Sequence, residues 1–280
     1  MQPKLFGAKI KAIMKRQKEL YWDRYQLKLN EIRKIEIADL KLYFQLLKNE
    51  IKVGSTYSKG NKVHDNISLP ENLEWRRWPL RKEISTIQLD PVLPDRPILV
   101  SPESSFSLLE NFESRHYVRF PVSVKIAMVY DKKTVDLFEI PTIKLSNTWF
   151  GTFNEGEACY GISSGIRTEI EPDTTRPYMA ICPLLLKNKT EESLFVGKIC
   201  VRSDYLSLFL HESQLWTNEM GISYVGKNEI SQVQVSARGP ANAPGATLIT
   251  KARSAVKKTL SARSFVSIKD FYGAGLFTSR

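Results

Sequence analysis

Cysteine and histidine are scarce, at three residues each in a chain of 280. Cys159, Cys182 and Cys200 are an odd set with no CxxC pair. That spacing excludes a ribbon-type zinc site and a dense disulfide framework. Each cysteine stands in apolar sequence, so the expectation is reduced thiols acting as small core hydrophobes. A Cys182–Cys200 bridge is the alternative. His64, His116 and His211 are far apart, and His211-Glu212 does not extend to HExxH because position 215 is Leu. A metal site would need scattered ligands, for example His211 with Cys159, Cys182 or Cys200, and no spacing supports one. There is no P-loop and no GxGxxG, which removes phosphate cradling by a glycine-rich loop. No apolar run approaches the roughly 18 residues that a spanning helix requires. Lys4, Lys9, Lys11, Lys15 and Arg16 are spread through the start, whereas a signal peptide confines its charge ahead of an apolar stretch. A cytoplasmic protein is expected, at the inner face of the membrane if its basic start docks there. Without export, the sequons Asn66-Ile-Ser68 and Asn188-Lys-Thr190 carry no meaning.

What is present is a globular composition, 42% hydrophobic and 10% aromatic, with a formal net charge of +11. The charge is uneven. Residues 1–53 hold 13 Lys/Arg against 6 Asp/Glu, residues 246–280 hold 7 against 1, and the middle is close to neutral. Two basic ends suit an acidic partner: a nucleic acid, an anionic membrane surface or an acidic protein face.

Residues 4–53 read as a helix. They contain no proline and only one glycine, Gly7, and good helix formers dominate. Ile10, Ile13, Met14, Leu20 and Tyr21 fall at helical spacing, as do Ile32, Ile35, Asp39, Leu42, Tyr43 and Leu46, with Asp39 interrupting the stripe. Unbroken, such a helix would reach about 75 Å. A helical hairpin broken near Asn30 is the alternative. Residues 55–70 are polar and read as a linker. From about Trp75 the period becomes two. Val118, Phe120, Val122, Val124, Ile126, Met128 and Tyr130 alternate with Arg119, Pro121, Ser123, Lys125, Ala127 and Val129, with Pro121 marking an edge or bulge. Further strands are expected over 137–145, 178–186, 194–201, 220–225 and 230–237, with 178–201 as a hairpin. The expected fold is mainly β, an antiparallel sandwich or barrel, with a long N-terminal α-helix or helical hairpin. The domains would be a helical arm (1–54), a linker (55–70), a β-domain (71–245) and a basic tail (246–280).

Gly161-Ile-Ser163-Ser164-Gly165 fits the nucleophile elbow G-x-S-x-G, and Asp173 or Asp204 and then His211 follow in hydrolase order. An elbow needs a strand before it and a helix after it, and Pro172 closes the downstream segment too soon. Glu155 and Glu157 beside Gly156 read as an acidic turn between strands. Trp75-Arg-Arg-Trp78 interleaves two rings with two guanidinium groups. It suits base stacking or a lipid interface, or two core anchors with a solvated charged pair between them. Trp149 and Trp216 read as core aromatics at strand ends.

Several of these segments together resemble a family. They are Trp75-Arg-Arg-Trp78, Leu89-Asp-Pro-Val-Leu-Pro-Asp-Arg-Pro97, Thr148-Trp-Phe-Gly-Thr-Phe153, Glu155-Gly-Glu-Ala-Cys-Tyr160 and Leu215-Trp-Thr-Asn-Glu219. Ile181-Cys-Pro-Leu184, Leu206-Ser-Leu-Phe209 and Gly239-Pro-Ala241 add to them. The likeness is to the uncharacterised archaeal and bacterial domain-of-unknown-function family 432, over roughly residues 75–250. It implies no activity, cofactor or catalytic residue. It does imply the genetic company of small mechanosensitive channels, which tilts the partner expectation that way.

The expected function is a non-enzymatic binding or accessory protein. Its β-domain would recognise a protein partner, and its basic helix would oligomerise it or dock it onto a membrane-associated assembly. The interaction candidates are Lys11, Lys15, Arg16, Trp22, Arg24, Trp75, Arg76, Arg77, Trp78, Lys257 and Lys258. Nucleic-acid binding by the basic ends is the alternative, and a serine hydrolase using Ser163 the remote one. No cofactor or metal is expected.

Overall fold

A computed structural model describes residues 21–58, 69–82, 84–131, 133–170, 173, 175–226, 230–255 and 260–266. The first strands are β1 Arg24–Gln26, β2 Ile32–Ile37, β3 Leu40–Leu46, β4 Glu50–Tyr57, β5 Trp75–Pro79, β6 Thr86–Val92, β7 Ile98–Ser101 and β8 Phe106–Leu108. There follow β9 Glu113–Pro121, β10 Ser123–Tyr130, β11 Lys133–Pro141, β12 Ser146–Phe150, β13 Glu157–Ser163, β14 Met179–Asn188, β15 Leu194–Val196 and β16 Lys198–Val201. The last are β17 Leu208–His211, β18 Gln214–Thr217, β19 Met220–Tyr224, β20 Ile230–Val235, β21 Thr247–Thr250, β22 Leu260–Arg263 and β23 Phe265–Val266. From Arg24 onward, the only helical element among the described residues is one 3-10 turn, Ser203–Tyr205. No helix among the described residues is long and apolar enough to cross a membrane.

The mainly β expectation holds, and the long N-terminal helix is overturned. Over residues 24–53 the chain builds β1 to β4 instead, and residues 1–20 lie outside the described residues. The reason is a second periodicity in the same residues. Leu40, Leu42, Phe44 and Leu46 recur at every other position, which puts all four on one face of a strand, and all four are buried. Ile35 and Ile37 do the same on β2. Ile37 pairs with Leu40 across a two-residue turn, Ala38-Asp39, with Ala38 at φ +54°. Asp39, the break in the helical stripe, is thus a turn residue. Local helix propensity amounts to a few tenths of a kcal/mol per residue, less than burying a row of leucines and a phenylalanine returns.

The chain divides into two compact units, Met1–Val92 with Pro121–Lys144, and Leu93–Phe120 with Leu145–Arg280. The first unit holds two four-stranded antiparallel sheets, in the orders β2-β3-β4-β5 and β1-β6-β10-β11. Leu40 N donates to Thr142 O, and the Tyr57 hydroxyl to Pro141 O at 2.8 Å. Trp78 stacks on Phe138 at 5.4 Å with an interplanar angle of 2°. Ser55 to Tyr57, read as the start of a linker, belong to β4.

The second unit holds a five-stranded sheet, β12-β13-β7-β16-β23, and a two-stranded one, β15-β8. Its eight-stranded sheet runs β21-β17-β18-β14-β19-β20-β22, with β9 also on β14. The expected hairpin over 178–201 does not form. β14 pairs in parallel with β18 and β19, whereas β16 pairs with β7 and β23 in the other sheet. Asn188 redirects the chain there. It is buried, and its Nδ2 donates to Leu108 O, Leu109 O and Glu192 O at 3.1, 3.0 and 2.7 Å. The alternating run 118–130 is likewise split. β9 ends at Pro121, whose missing N–H cannot continue a ladder, and β10 begins in the other unit.

Candidate functional site

The interaction candidates scatter. Lys11, Lys15, Arg16, Lys257 and Lys258 lie outside the described residues. Trp22 is half-buried beside Tyr21, and Arg24 donates to Gln88 Oε1 at 3.0 Å. On β5, Arg77 makes a two-pronged ion pair with Glu50 at 2.8 and 2.9 Å. The Arg76 guanidinium sits 4.5 Å above the Phe138 ring, whose plane also meets Trp78. Both tryptophans are half-buried and both arginines exposed, a ladder of rings and cations on a sheet surface.

The residues in hydrolase order are not assembled on an elbow. β13 runs through to Ser163, which pairs in register with Ser101 of β7. No α-helix follows among the described residues, so the strand–turn–helix geometry that exposes a nucleophile is missing at this serine. His211 closes β17 in the other sheet, opposite Gln214, across a turn with Glu212 and Ser213 at positive φ. Asp173 accepts hydrogen bonds from Thr175 and Arg176 nearby.

Cys182 is buried in β14 with its thiol pushed up to about 12 by burial. Cys159 of β13 and Cys200 of β16 reach one apolar cluster with Leu99 and Phe150. Their mutual influence in this cluster draws the Cys159 thiol below its ordinary value and, with burial, raises that of Cys200. Beside them the buried Arg202 meets Glu157 at 2.5 Å. No group of three or more His, Cys, Asp or Glu that could hold a metal occurs among the described residues.

Two features stand out that the motifs did not single out. The first is the turn between β12 and β13. Phe150 anchors β12 in the core, so strand alternation turns Trp149 to the other face, where it is 53% exposed rather than a core aromatic. Trp149 Nε1 donates to Thr152 O at 3.0 Å, and Thr152 Oγ1 accepts from Glu155 N at 3.2 Å. Gly151 takes φ +110°, and a Cβ at Gly156 would collide with the indole. The turn is therefore held on both sides, and at its tip Phe153 is 94% exposed.

The second is a cavity of about 470 Å³ lined by Ser104, Ser105, Phe106, His116, Ile166, Arg167, Thr168 and Glu169. His116 belongs to the inward row of β9, two residues ahead of the fully buried Val118 and Phe120. It is 6% exposed, its Nε2 has no hydrogen-bond partner, and burial holds its imidazole below the ordinary pKa. Phe106 stacks on it at 4.9 Å. The wall carrying Arg167 is tied to β9 by two backbone bonds, Tyr117 N to Arg167 O at 2.7 Å and Arg167 N to Tyr117 O at 3.1 Å. Extending the alternation from Phe120 and Val118 back by two would have pointed to His116; no sequence signal marked the facing loop.

A family model described as a protein of unknown function (DUF432) matches residues 21–269. It takes in the first strands, which the resemblance over 75–250 left outside. No curated protein and no solved structure matches the chain.

Proposed function

Because the chain belongs to the DUF432 family, whose description assigns no activity, we propose its function from its own surface. It is a non-enzymatic binding or accessory protein whose second unit engages a protein partner through the tip of the β12–β13 hairpin. The observation that carries this reading is Phe153, an aromatic ring exposed at 94% on a turn whose backbone is braced. Single exposed apolar residues are ordinary on protein surfaces. Here the bracing matters: Trp149 and the two glycines fix the tip, so docking the ring loses little chain entropy. A rigid aromatic beside a second half-exposed one matches the anchors that dominate interface energies. The partner is a protein with an apolar pocket, and a channel of a membrane-associated assembly is the first candidate class.

The test is affinity purification of the full chain from its own cells in mild detergent, alongside Phe153→Ser. Truncating an anchor ring costs on the order of 2–4 kcal/mol of binding, roughly 30- to 1,000-fold in affinity. The wild type should retain a protein that Phe153→Ser loses, with the variant melting as the wild type does. Retention of the same partner by both proteins, recovery of nucleic acid instead of protein, or no partner at all overturns the reading.

A further inference from the structure

In the second unit, three turns are tied into one framework built from other residues than the β12–β13 hairpin. They are the turn from β8 to β9, the turn from β14 to β15, and the chain leaving β19 at Val225. Asn188 donates to the carbonyls of Leu108, Leu109 and Glu192. The backbone adds Asn111 N to Thr190 O at 3.1 Å, Asn188 N to Phe112 O at 2.9 Å and Lys189 N to Tyr224 O at 2.9 Å. On this framework Leu109 is 59% exposed, Phe112 51% and Val225 43%. One such residue is ordinary on a surface. Three, on turns whose backbones are bonded to one another, make a braced apolar platform.

The course of the chain indicates what covers it. Phe265 of β23 is buried and meets the Tyr224 ring edge-on, centroids 6.2 Å apart, and Tyr224 directly precedes Val225. Val266, the next residue, is the last described. Its direction agrees with that contact. β23 runs antiparallel to β16, with Phe265 opposite Ile199 and Val266 opposite Lys198. Continued, that course follows the chain from Lys198 back to Leu194, which pairs with Leu108. The span is only about 13 Å of extended strand.

The sequence beyond Val266 matches the platform chemically. Phe271-Tyr272 and Leu276-Phe277 are two apolar pairs separated by Gly-Ala-Gly. Extended, the chain from Val266 reaches roughly 17 Å at Phe271 and 36 Å at Phe277, ample for the distance. Exposed Glu110, Glu191 and Glu192 stand in the turns against Lys189, whereas residues 267–280 hold Lys269 and Arg280 against Asp270. An apolar face with an acidic rim suits a basic, ring-bearing segment. A segment tethered this close has an effective concentration of order millimolar, which favours it over a second copy.

We infer that the platform is a docking surface for the chain's own residues 268–277, with their two apolar pairs seated on Leu109, Phe112 and Val225. The tail covers an apolar surface that its withdrawal opens.

The experiment uses the full chain with Phe112 replaced by the photoreactive p-benzoylphenylalanine, irradiated and digested with trypsin. Cleavage after Lys269 releases residues 270–280 as one peptide, and the main crosslink should join it to the peptide carrying position 112. In an equal mixture of nitrogen-15-labelled and unlabelled chains, the joined peptides should carry the same label. The double substitution Phe271→Ser with Phe277→Ser should lower that crosslink at least fivefold. In the otherwise wild-type chain it should raise the binding of an apolar fluorescent dye at least twofold. Should the probe at Phe112 prevent folding, Leu109 carries it instead. A crosslink that misses the tail, one that joins labelled to unlabelled chains, or one that survives the double substitution overturns the inference. Dye binding unchanged by the double substitution does so too.

Discussion

Asn188 is expected to hold the second unit together beyond what one polar residue ordinarily contributes, and replacing it tests how the turn after β14 is built. Its side chain is 2% exposed. Nδ2 donates to three carbonyls, of Leu108, Leu109 and Glu192, and Oδ1 accepts from Thr190 N at 3.1 Å and Thr190 Oγ1 at 2.8 Å. In Asn188→Ala the Thr190 groups can turn to water, at a cost of about 1 kcal/mol, while the Leu108 carbonyl is left buried and unanswered, at roughly 1–3 kcal/mol. The sum, about 3 kcal/mol, corresponds to a fall of roughly 6–12 °C in melting temperature for a unit of this size. Asn188→Asp is the sharper probe. It keeps the shape and the acceptor side but turns a carboxylate towards three carbonyl oxygens, an uncompensated buried charge costing roughly 3–5 kcal/mol. Its folded-state pKa must therefore rise above the unfolded value, so the folded form binds more protons and the variant gains stability relative to wild type as the pH falls. Melts of the three proteins by circular dichroism at pH 8 and pH 5 read this directly. An aspartate variant no worse than alanine at pH 8, a gap that does not narrow at pH 5, or an alanine variant losing under 2 °C refutes the reasoning.

Two further outcomes follow from buried titratable groups. His116 has its folded pKa below the unfolded value of about 6.5, so the unfolded chain takes up the proton first. Its contribution is unaffected above that pH and becomes destabilising as pH falls through it, by at most about 1.4 kcal/mol per pH unit. Arg167 and Glu169 line the same cavity, so the readout is the stability difference between wild type and His116→Phe, which should be flat above neutrality and shrink or reverse in acid. A difference independent of pH removes the buried neutral imidazole from the account. For the cysteines, Cys159, Cys182 and Cys200 are fully buried, so a thiol reagent should label none in the native protein and three in urea. Treatment with oxidised glutathione should leave that count unchanged. β7 lies between the strands of Cys159 and Cys200, which separates their backbones by about two strand spacings, roughly 9–10 Å, beyond the reach of a disulfide. An intramolecular disulfide in the native protein would show that geometry to be wrong.

The strand pattern of the middle of the chain was legible because alternation there had no competitor. From Val118 to Tyr130 the apolar residues recur at every second position for seven positions running, which would spread them all round a helix but lines one face of a strand. Residues 32–46 were ambiguous: Ile35, Leu42 and Leu46 satisfy both periods. Lysines, leucines and glutamines then tilt the reading towards helix, and only pairing with β4, far from local in its effect, decides for strand. Sheet partners were not legible at all. β14 and β16 look like hairpin arms because a polar turn separates them, yet the bonds that redirect the chain come from one side chain, Asn188, to carbonyls 79 and 80 residues away. The exposure of Trp149 and Phe153 was hidden for a related reason. Composition reports that a ring is apolar, whereas the face it occupies follows from Phe150, its neighbour, taking the core position.

The correction from helix to sheet changes what the basic N-terminal residues can do. Along a free helix, each lysine is separated from its neighbours by solvent and remains available to a polyanion. On the sheet β2-β3-β4-β5, two-residue alternation along a strand and register between strands bring opposite charges within reach instead. Glu36 receives Lys34 at 2.6 Å and Lys41 at 3.8 Å, and Glu50 receives Arg77 at 2.8 Å and Lys52 at 3.7 Å. Four cations thus share two carboxylates, and the surplus on this face is half of what the cations alone suggest. Such exposed pairs add little stability, about 0–1 kcal/mol each. They do lower the local potential that a phosphate backbone would feel, and affinity for such a backbone scales with the number of charges it can neutralise. Electrostatic attraction at this surface is therefore modest, and a polyanion would find fewer uncompensated charges on this sheet than the lysine count of the sequence suggests.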